Sequence, residues 1–207
     1  SYEGSTAYDL YNVQLIQCTL EYAQKMHELV SEQLTELLKK MKVFASWCTP
    51  YNAQNCITIG DDDSGQLVDS LLRSTLIEHT FGERFFPQFG LYIYKTKKWH
   101  VALRHPRYDT RQPSGHFHHD AGQVTISYKG IPVLVDPGSY VYSASRYWRN
   151  YFRSTYSHNM PYHHASPLPN DLFSLKLNSF ISTNGQIVET DLVKRVVDIS
   201  SGQITLH

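Results

Sequence analysis

What this sequence lacks narrows its class before any motif is read. Cysteine is scarce: three in 207 residues (Cys18, Cys48 and Cys56), at spacings that make neither a metal-type pair nor a disulfide framework. Cys48 and Cys56 flank a loop containing Pro50 and several Asn, and their pairing is left open by the sequence. No apolar run approaches the roughly 20 residues a membrane-spanning helix needs, and the N-terminus carries no signal-peptide pattern. No charge of either sign is in excess, with 19 basic and 19 acidic side chains, so no global field points to nucleic acid or an anionic membrane. A polyanionic ligand would have to be held by a local cluster of cations. A composition of 41% hydrophobic and 18% charged residues is that of a soluble globular chain. Tyrosine is plentiful, with fifteen. Its stacking ring and hydroxyl suit sugar-binding clefts, but it also populates strands, and the strand reading is adopted for most of them.

Along the chain the hydrophobic period changes once. Ser5 or Thr6 can cap a helix with Tyr8, Tyr11, Leu15 and Tyr22 on its apolar side. Met26, Leu29, Val30, Leu34, Leu37, Leu38 and Met41 continue a helical stripe. Pro50 and the Asn-rich loop break it, and Leu67, Val68, Leu71, Leu72 and Leu76 predict a third helix after the turn GDDDSG. That turn has the look of a calcium loop without its spacing or terminal Glu, and reads as solvated. Past Pro87 the period becomes two: GLYIYKT, KWHVALRH, QVTISY and IPVLV read as strands, the last two joined by the tight turn Lys129-Gly130. FSLKLNSFIS, QIVET, KRVVDIS and QITLH extend the β character. Helices followed by strands imply two segregated units, with the division near residues 82–90.

The chemistry concentrates in residues 115–159. His116 and His118 are two apart, which on a strand puts both on one face, roughly 7 Å apart. Asp136 ends IPVLV at a Pro-Gly turn, and His158 follows a basic, aromatic stretch. Two histidines and a carboxylate drawn from three segments make a common zinc set. An isolated HxH is weak evidence, and a lone strand histidine is more often structural than ligating. The return of the following hairpin to an Asp strengthens the metal reading. Arg146, Arg149 and Arg153 offer forks suited to carboxylate or sulfate. Equally, they can brace the turn against Asp136 or backbone.

GHFHHDA, VDPGSYVY and WRNYFRSTYSHN resemble, in order and spacing, three signature blocks of the heparinase II/III-like β-sandwich. EGSTAYDLY resembles the edge of the family's α/α-toroid, and IGDDDSG and FPQFGLYIYK resemble the segments leading into the sandwich. The resemblance covers most of residues 2–160. It implies an α+β, multidomain fold: residues 1–85 as the last helices of an incomplete α/α-toroid, residues 86–207 as a truncated antiparallel β-sandwich. Because the chain opens on the toroid-edge block and stops in a strand-like run, it reads as a central piece. Transferred residue by residue, the resemblance puts a structural zinc on His118, Asp136 and His158, and His116 toward the substrate cleft. The catalytic tyrosine falls on Tyr11 or, one turn away on the same face, Tyr8. His119 departs from the family's usual small residue, and Met160-Pro161 from its commoner Thr-Val.

The implied activity is β-elimination on a uronic-acid polysaccharide, by a periplasmic or secreted lyase. A base takes the C5 proton, an acid protonates the leaving C4 oxygen, and donors stabilise charge on the carboxylate. Tyr11 is the first choice as acid. His116 suits the base, its reference pKa lying near neutrality. Arg149 and Arg153 are the substrate-binding candidates. The family's carboxylate-binding Asn or His lies on an earlier helix, so the chain alone is expected to be a poor lyase or none. Its incomplete helical part is then expected to pack loosely or associate with other chains. The implied partner is an acidic polysaccharide, with neither nucleic acid nor membrane. A cupin-like metal enzyme is disfavoured because Ala121, Gly122 and Gln123 stand where cupins need a Glu. A non-catalytic sugar-binding module would have no need of Tyr11 in its EGST context.

Overall fold

In a computed structural model, the structure describes residues 4–53, 55–62, 79–105, 116–160, 187–189, 194–198 and 205–206. The third helix expected at 67–76 and the strand at FSLKLNSFIS lie outside these. Helix α1 spans Thr6–Lys25 and α2 spans Glu32–Cys48. Ser5 caps α1 by accepting from the Tyr8 amide, and Ser31 caps α2 in the same way through Leu34, each satisfying an amide that lacks an intrahelical partner.

The stripe read as continuous from Met26 to Met41 is interrupted. His27 adopts φ 57° and the chain reverses before Ser31, so α1 and α2 pack as an antiparallel pair around Val13, Leu20 and Leu38. Leu29, in the reversal, is fully exposed. Residues on a loop can keep helical spacing by chance, so periodicity alone does not register a turn. On α1, Tyr11, Leu15 and Tyr22 are exposed, whereas Val13, Gln14 and Leu20 are buried. The buried side is therefore rotated from the one the sequence suggests.

Five strands form an antiparallel meander in chain order: β1 Gly82–Phe86, β2 Leu91–Lys95, β3 Trp99–Arg104, β4 Val124–Tyr128 and β5 Ile131–Leu134. Strand β1 precedes the Pro87 at which the sequence period changes, and its start at Gly82 falls within the expected division at residues 82–90. Lys129 and Gly130 have φ of 52° and 82°, which suits the β4–β5 hairpin because two left-handed residues match the twist of the flanking strands. A second sheet of β6 Ile187–Glu189, β7 Lys194–Asp198 and β8 Thr205–Leu206 is also antiparallel.

The main sheet is covered on both faces. Leu91, Ile93 and Ala102 pack with Trp47, Cys48, Ile59 and Phe89 on one side. Tyr92, Val101, Leu103 and Val124 meet Val197 of β7 on the other. The end of α2 is tied to this sheet through its last carbonyls. Lys95 Nζ donates to Ser46 O at 2.6 Å and His100 Nε2–H to Trp47 O at 2.8 Å, so a buried cation meets the negative end of the helix. Cys48 and Cys56 are both free thiols. Cys56 Sγ sits 2.9 Å from Thr49 Oγ1, and burial pushes its thiol up to about 11.

Burial holds His100 neutral, its pKa pushed down to about 4. The unfolded chain binds this proton near 6.5, so it gains protons first as the pH falls, and stability is lost between about 6.5 and 4. The melting temperature should decline across that window, and His100→Gln, which keeps a donor for Trp47 O, should make the decline shallower. Parallel melting curves of the two proteins at several pH values measure it.

Candidate active site and metal centre

Three segments knot together at the sheet's edge. Thr6 N donates to Ile59 O at 3.1 Å, Thr6 Oγ1 donates to Ile57 O at 2.8 Å, and Ile59 N donates back to Thr6 Oγ1 at 3.0 Å. The buried Arg104 guanidinium links β3 to the same knot, with Nη2 on Gly4 O at 3.2 Å and Nε on buried Asp120 at 3.0 Å. Gly4 and Gly60 both have positive φ, and a Cβ on Gly60 would lie 2.6 Å from Gly4 O and 2.9 Å from His116 O. Only glycine lets these backbones approach so closely.

Asp61 follows Gly60 into this knot. Its carboxylate takes His118 Nε2 on Oδ1 at 2.8 Å, His116 Nδ1 on Oδ2 at 3.0 Å, and both terminal nitrogens of Arg149, one on each oxygen. Burial works against its ionisation, but these donors outweigh it and hold the carboxyl well below the usual carboxylate range. The GDDDSG turn is therefore not simply solvated: Asp61 is fully buried. Three consecutive aspartates look alike in sequence, and no local pattern marks Asp61 as buried.

His116 and His118 lie on a loop rather than a strand, yet both reach the same carboxylate. Tyr8 stacks on the His116 ring, centroids 3.7 Å apart and planes 23° apart. Its hydroxyl lies 2.8 Å from that of Tyr142. Tyr11, on the same helix, is 44% exposed, whereas Tyr8 is the tyrosine that the structure stacks on His116. Helix α3, Arg146–Arg153, supplies Arg149 and Arg153, both buried. Arg149 is committed to Asp61 and lies over the Tyr142 ring at 4.5 Å. Arg153 Nε donates to Phe117 O at 3.3 Å. Both arginines brace the site, and the partner of Arg149 is Asp61 rather than Asp136.

Beneath this layer, His118, Asp136 and His158 are all buried and offer ligand atoms within 4.8 Å of one another. His118 Nδ1 and both ring nitrogens of His158 are buried without a hydrogen-bond partner. Such orphaned nitrogens are costly in a dry site and are what a metal ion satisfies. Burial keeps His158 neutral, its pKa pushed down to about 3, which is the ligating form. Burial also pushes the Asp136 carboxyl up, although Gly138 N, Gln123 Nε2 and Gly60 N donate to it at 2.8, 2.8 and 3.1 Å. The donor set of two imidazoles and a carboxylate fits zinc.

Residues 79–160 match the family model described as heparinase II/III-like, C-terminal. No curated protein matches the chain by sequence. Among solved structures, a heparinase III aligns over 94% of this chain with a TM-score of 0.60 and 16% identity. The heparan sulfate lyase HepC from Pedobacter heparinus aligns over 95% with a TM-score of 0.56 and 14% identity. The helices-then-antiparallel-sheet architecture is shared with both. The chain spans about a third of the length of these structures, 34% of each. Among the described residues, no helix is long and apolar enough to cross a membrane.

The close approach at Gly60 is directly testable. Gly60→Ala must displace backbone at both Gly4 and His116, and should lower the melting temperature more than Gly82→Ala. Gly82 also has positive φ, but a Cβ there meets nothing within 4 Å. An excess loss of about 1–3 kcal/mol at Gly60 is expected, read from denaturant melts of the two variants.

Proposed function

We propose that the heparinase II/III-like chain is part of a polysaccharide lyase that cleaves a uronic-acid-containing polymer by β-elimination. The observation that carries this reading is the phenol of Tyr8 stacked on the imidazole of His116 at 3.7 Å, with His116 anchored on Asp61. An imidazole whose Nδ1–H is engaged presents a basic Nε2, and a phenol of reference pKa about 10 is protonated at neutral pH. Base and acid therefore stand side by side.

In the proposed reaction His116 Nε2 takes the C5 proton. The C5–H electron pair becomes the C4–C5 double bond, the C4–O bond breaks, and Tyr8 delivers its proton to the departing oxygen. Tyr142, 2.8 Å from the Tyr8 hydroxyl, is suited to return a proton to the phenolate. Placed groups of this kind contribute roughly 10²–10⁴-fold each. With its fork committed to Asp61, Arg149 does not serve the substrate carboxylate in this scheme, and neither does the buried Arg153. That role falls to a group outside this chain, in keeping with the share of the neighbours' length the chain spans. Residues 1–85 would then close a toroid, 86–207 would form part of the sandwich, and the enzyme would work in the periplasm or outside the cell.

His118, Asp136 and His158 would hold zinc. When bound, the ion supplies structural cross-linking rather than reaction chemistry. The residues it joins hold the loop bearing His116 and the end of α3 in register, which is preorganisation of the acid–base pair.

Two experiments test this reading. Elemental analysis should find close to one zinc per chain. Asp136→Ala and His118→Ala should lose it and melt at lower temperature, while His116→Ala, which removes a donor of Asp61 but no ligand, keeps the metal and loses less stability than either. A metal-free wild type of unchanged stability would sink the zinc assignment. For the reaction, the full-length protein should raise ultraviolet absorbance from unsaturated uronate ends on at least one of heparan sulfate, alginate or related polymers. Tyr8→Phe should lower kcat by about 10²-fold or more, and Tyr11→Phe should leave it within about threefold. Retained activity in Tyr8→Phe with loss in Tyr11→Phe would return the acid role to Tyr11.

A further inference from the structure

Asp61 has a role beyond closing a turn. A carboxylate has two oxygens and about four acceptor positions, and here four are taken: His118 and Arg149 on Oδ1, His116 and Arg149 on Oδ2. Arginine can only donate, and an ionised carboxylate can only accept. Each imidazole nitrogen facing Asp61 must therefore be the N–H. The two rings meet the carboxylate by different atoms, His116 through Nδ1 and His118 through Nε2. The lone pairs consequently emerge from opposite nitrogens. His118 is left with Nδ1 buried and without a hydrogen-bond partner, and its ring is one of the three groups that offer ligand atoms within 4.8 Å of one another beside Asp136 and His158. His116 presents Nε2 on the side of the ring away from Asp61.

We propose that Asp61 is a positioning residue that fixes the tautomers of both histidines at once, making His118 a metal ligand and His116 a base. The part concerning His116 rests on the lyase reading, whereas the part concerning His118 does not. An asparagine at this position cannot reproduce the arrangement. Its amide nitrogen would point donors at a ring N–H or at Arg149, so at least one imidazole must move its proton to the nitrogen that now works.

The test has a wild-type arm and a variant arm. Neutron diffraction of the full-length, zinc-loaded protein should place a deuteron on His116 Nδ1 and on His118 Nε2. A neutral ring carrying its deuteron on the other nitrogen would overturn the proposal, and this arm is independent of whether any variant folds. For Asp61→Asn, chelator competition should show zinc affinity weakened about 10–100-fold, the usual cost of losing a partner that orients a metal-bound histidine. Turnover should fall by a comparable factor with KM within about threefold. In a His116→Ala background, adding Asp61→Asn should lower kcat no further, because residues acting as a unit are not additive, while zinc affinity still falls. Unchanged zinc affinity in Asp61→Asn, or full additivity with His116→Ala, would refute the role assigned here. If the wild type eliminates no uronate, the lyase reading fails, and the deuteron positions and zinc affinity still decide the role of Asp61.

Discussion

Burying a lone carboxylate costs several kcal/mol even after relaxation, and Asp61 is buried completely. Its charge is tolerable only because donors from separate parts of the chain converge on it: two imidazoles from the 116–118 loop and the guanidinium of α3. Its own backbone carbonyl accepts from Ser5 Oγ at the start of α1. Removing any donor would leave charge uncompensated, so the positions of the helix start, the loop and α3 are determined together. That mutual dependence gives a loop, ordinarily the most variable part of a fold, the fixed geometry that the proposed chemistry demands.

The sheet provides the fixed base for this arrangement. Its β3 strand is buried on both faces, and Arg104 at its end is a second fully buried ion whose fork reaches Asp120, Phe89 O and Gly4 O. Arg104 anchors the segment that begins α1, and α1 carries Tyr8. Phe117, between the two histidines, packs where a Cβ on Gly4 would clash at 2.7 Å. The path from strand to site is thus short: β3 holds Gly4, Gly4 admits Phe117, and Phe117 sets the loop that presents His116 and His118 on either side of it.

Much of this was legible in the sequence because it depends on local rules. The Ser5 cap, the Lys129-Gly130 hairpin and the strands around it follow from hydrogen-bonding side chains, left-handed turn residues and a period of two. The grouping of His118, Asp136 and His158 was implied by the family resemblance, because residue type and order alone leave His116 and His118 equivalent. Three features were not legible. The break between α1 and α2 is a reversal at His27 that helical spacing does not register. That Tyr8 rather than Tyr11 stacks on His116 depends on which side of α1 meets the loop, and both tyrosines fit the same apolar template. Asp61 was hidden because burial of a charge is decided by partners 55 to 88 residues away, and no local pattern encodes them.

Little separates the two histidines for which different roles are proposed. They share a loop, a residue type and a carboxylate partner. The His116 side chain keeps 24% of its surface exposed and His118 none. The dry position suits a ligand, since the low local dielectric that penalises orphaned nitrogens also strengthens their hold on a cation. The half-open position suits proton transfer, because a base must meet its substrate. An i, i+2 spacing on an extended segment turns side chains to one side, and the single anchor there then rotates the rings so that different nitrogens face away from it. The difference between the roles proposed for them rests on ring orientation and depth, with no difference in residue type.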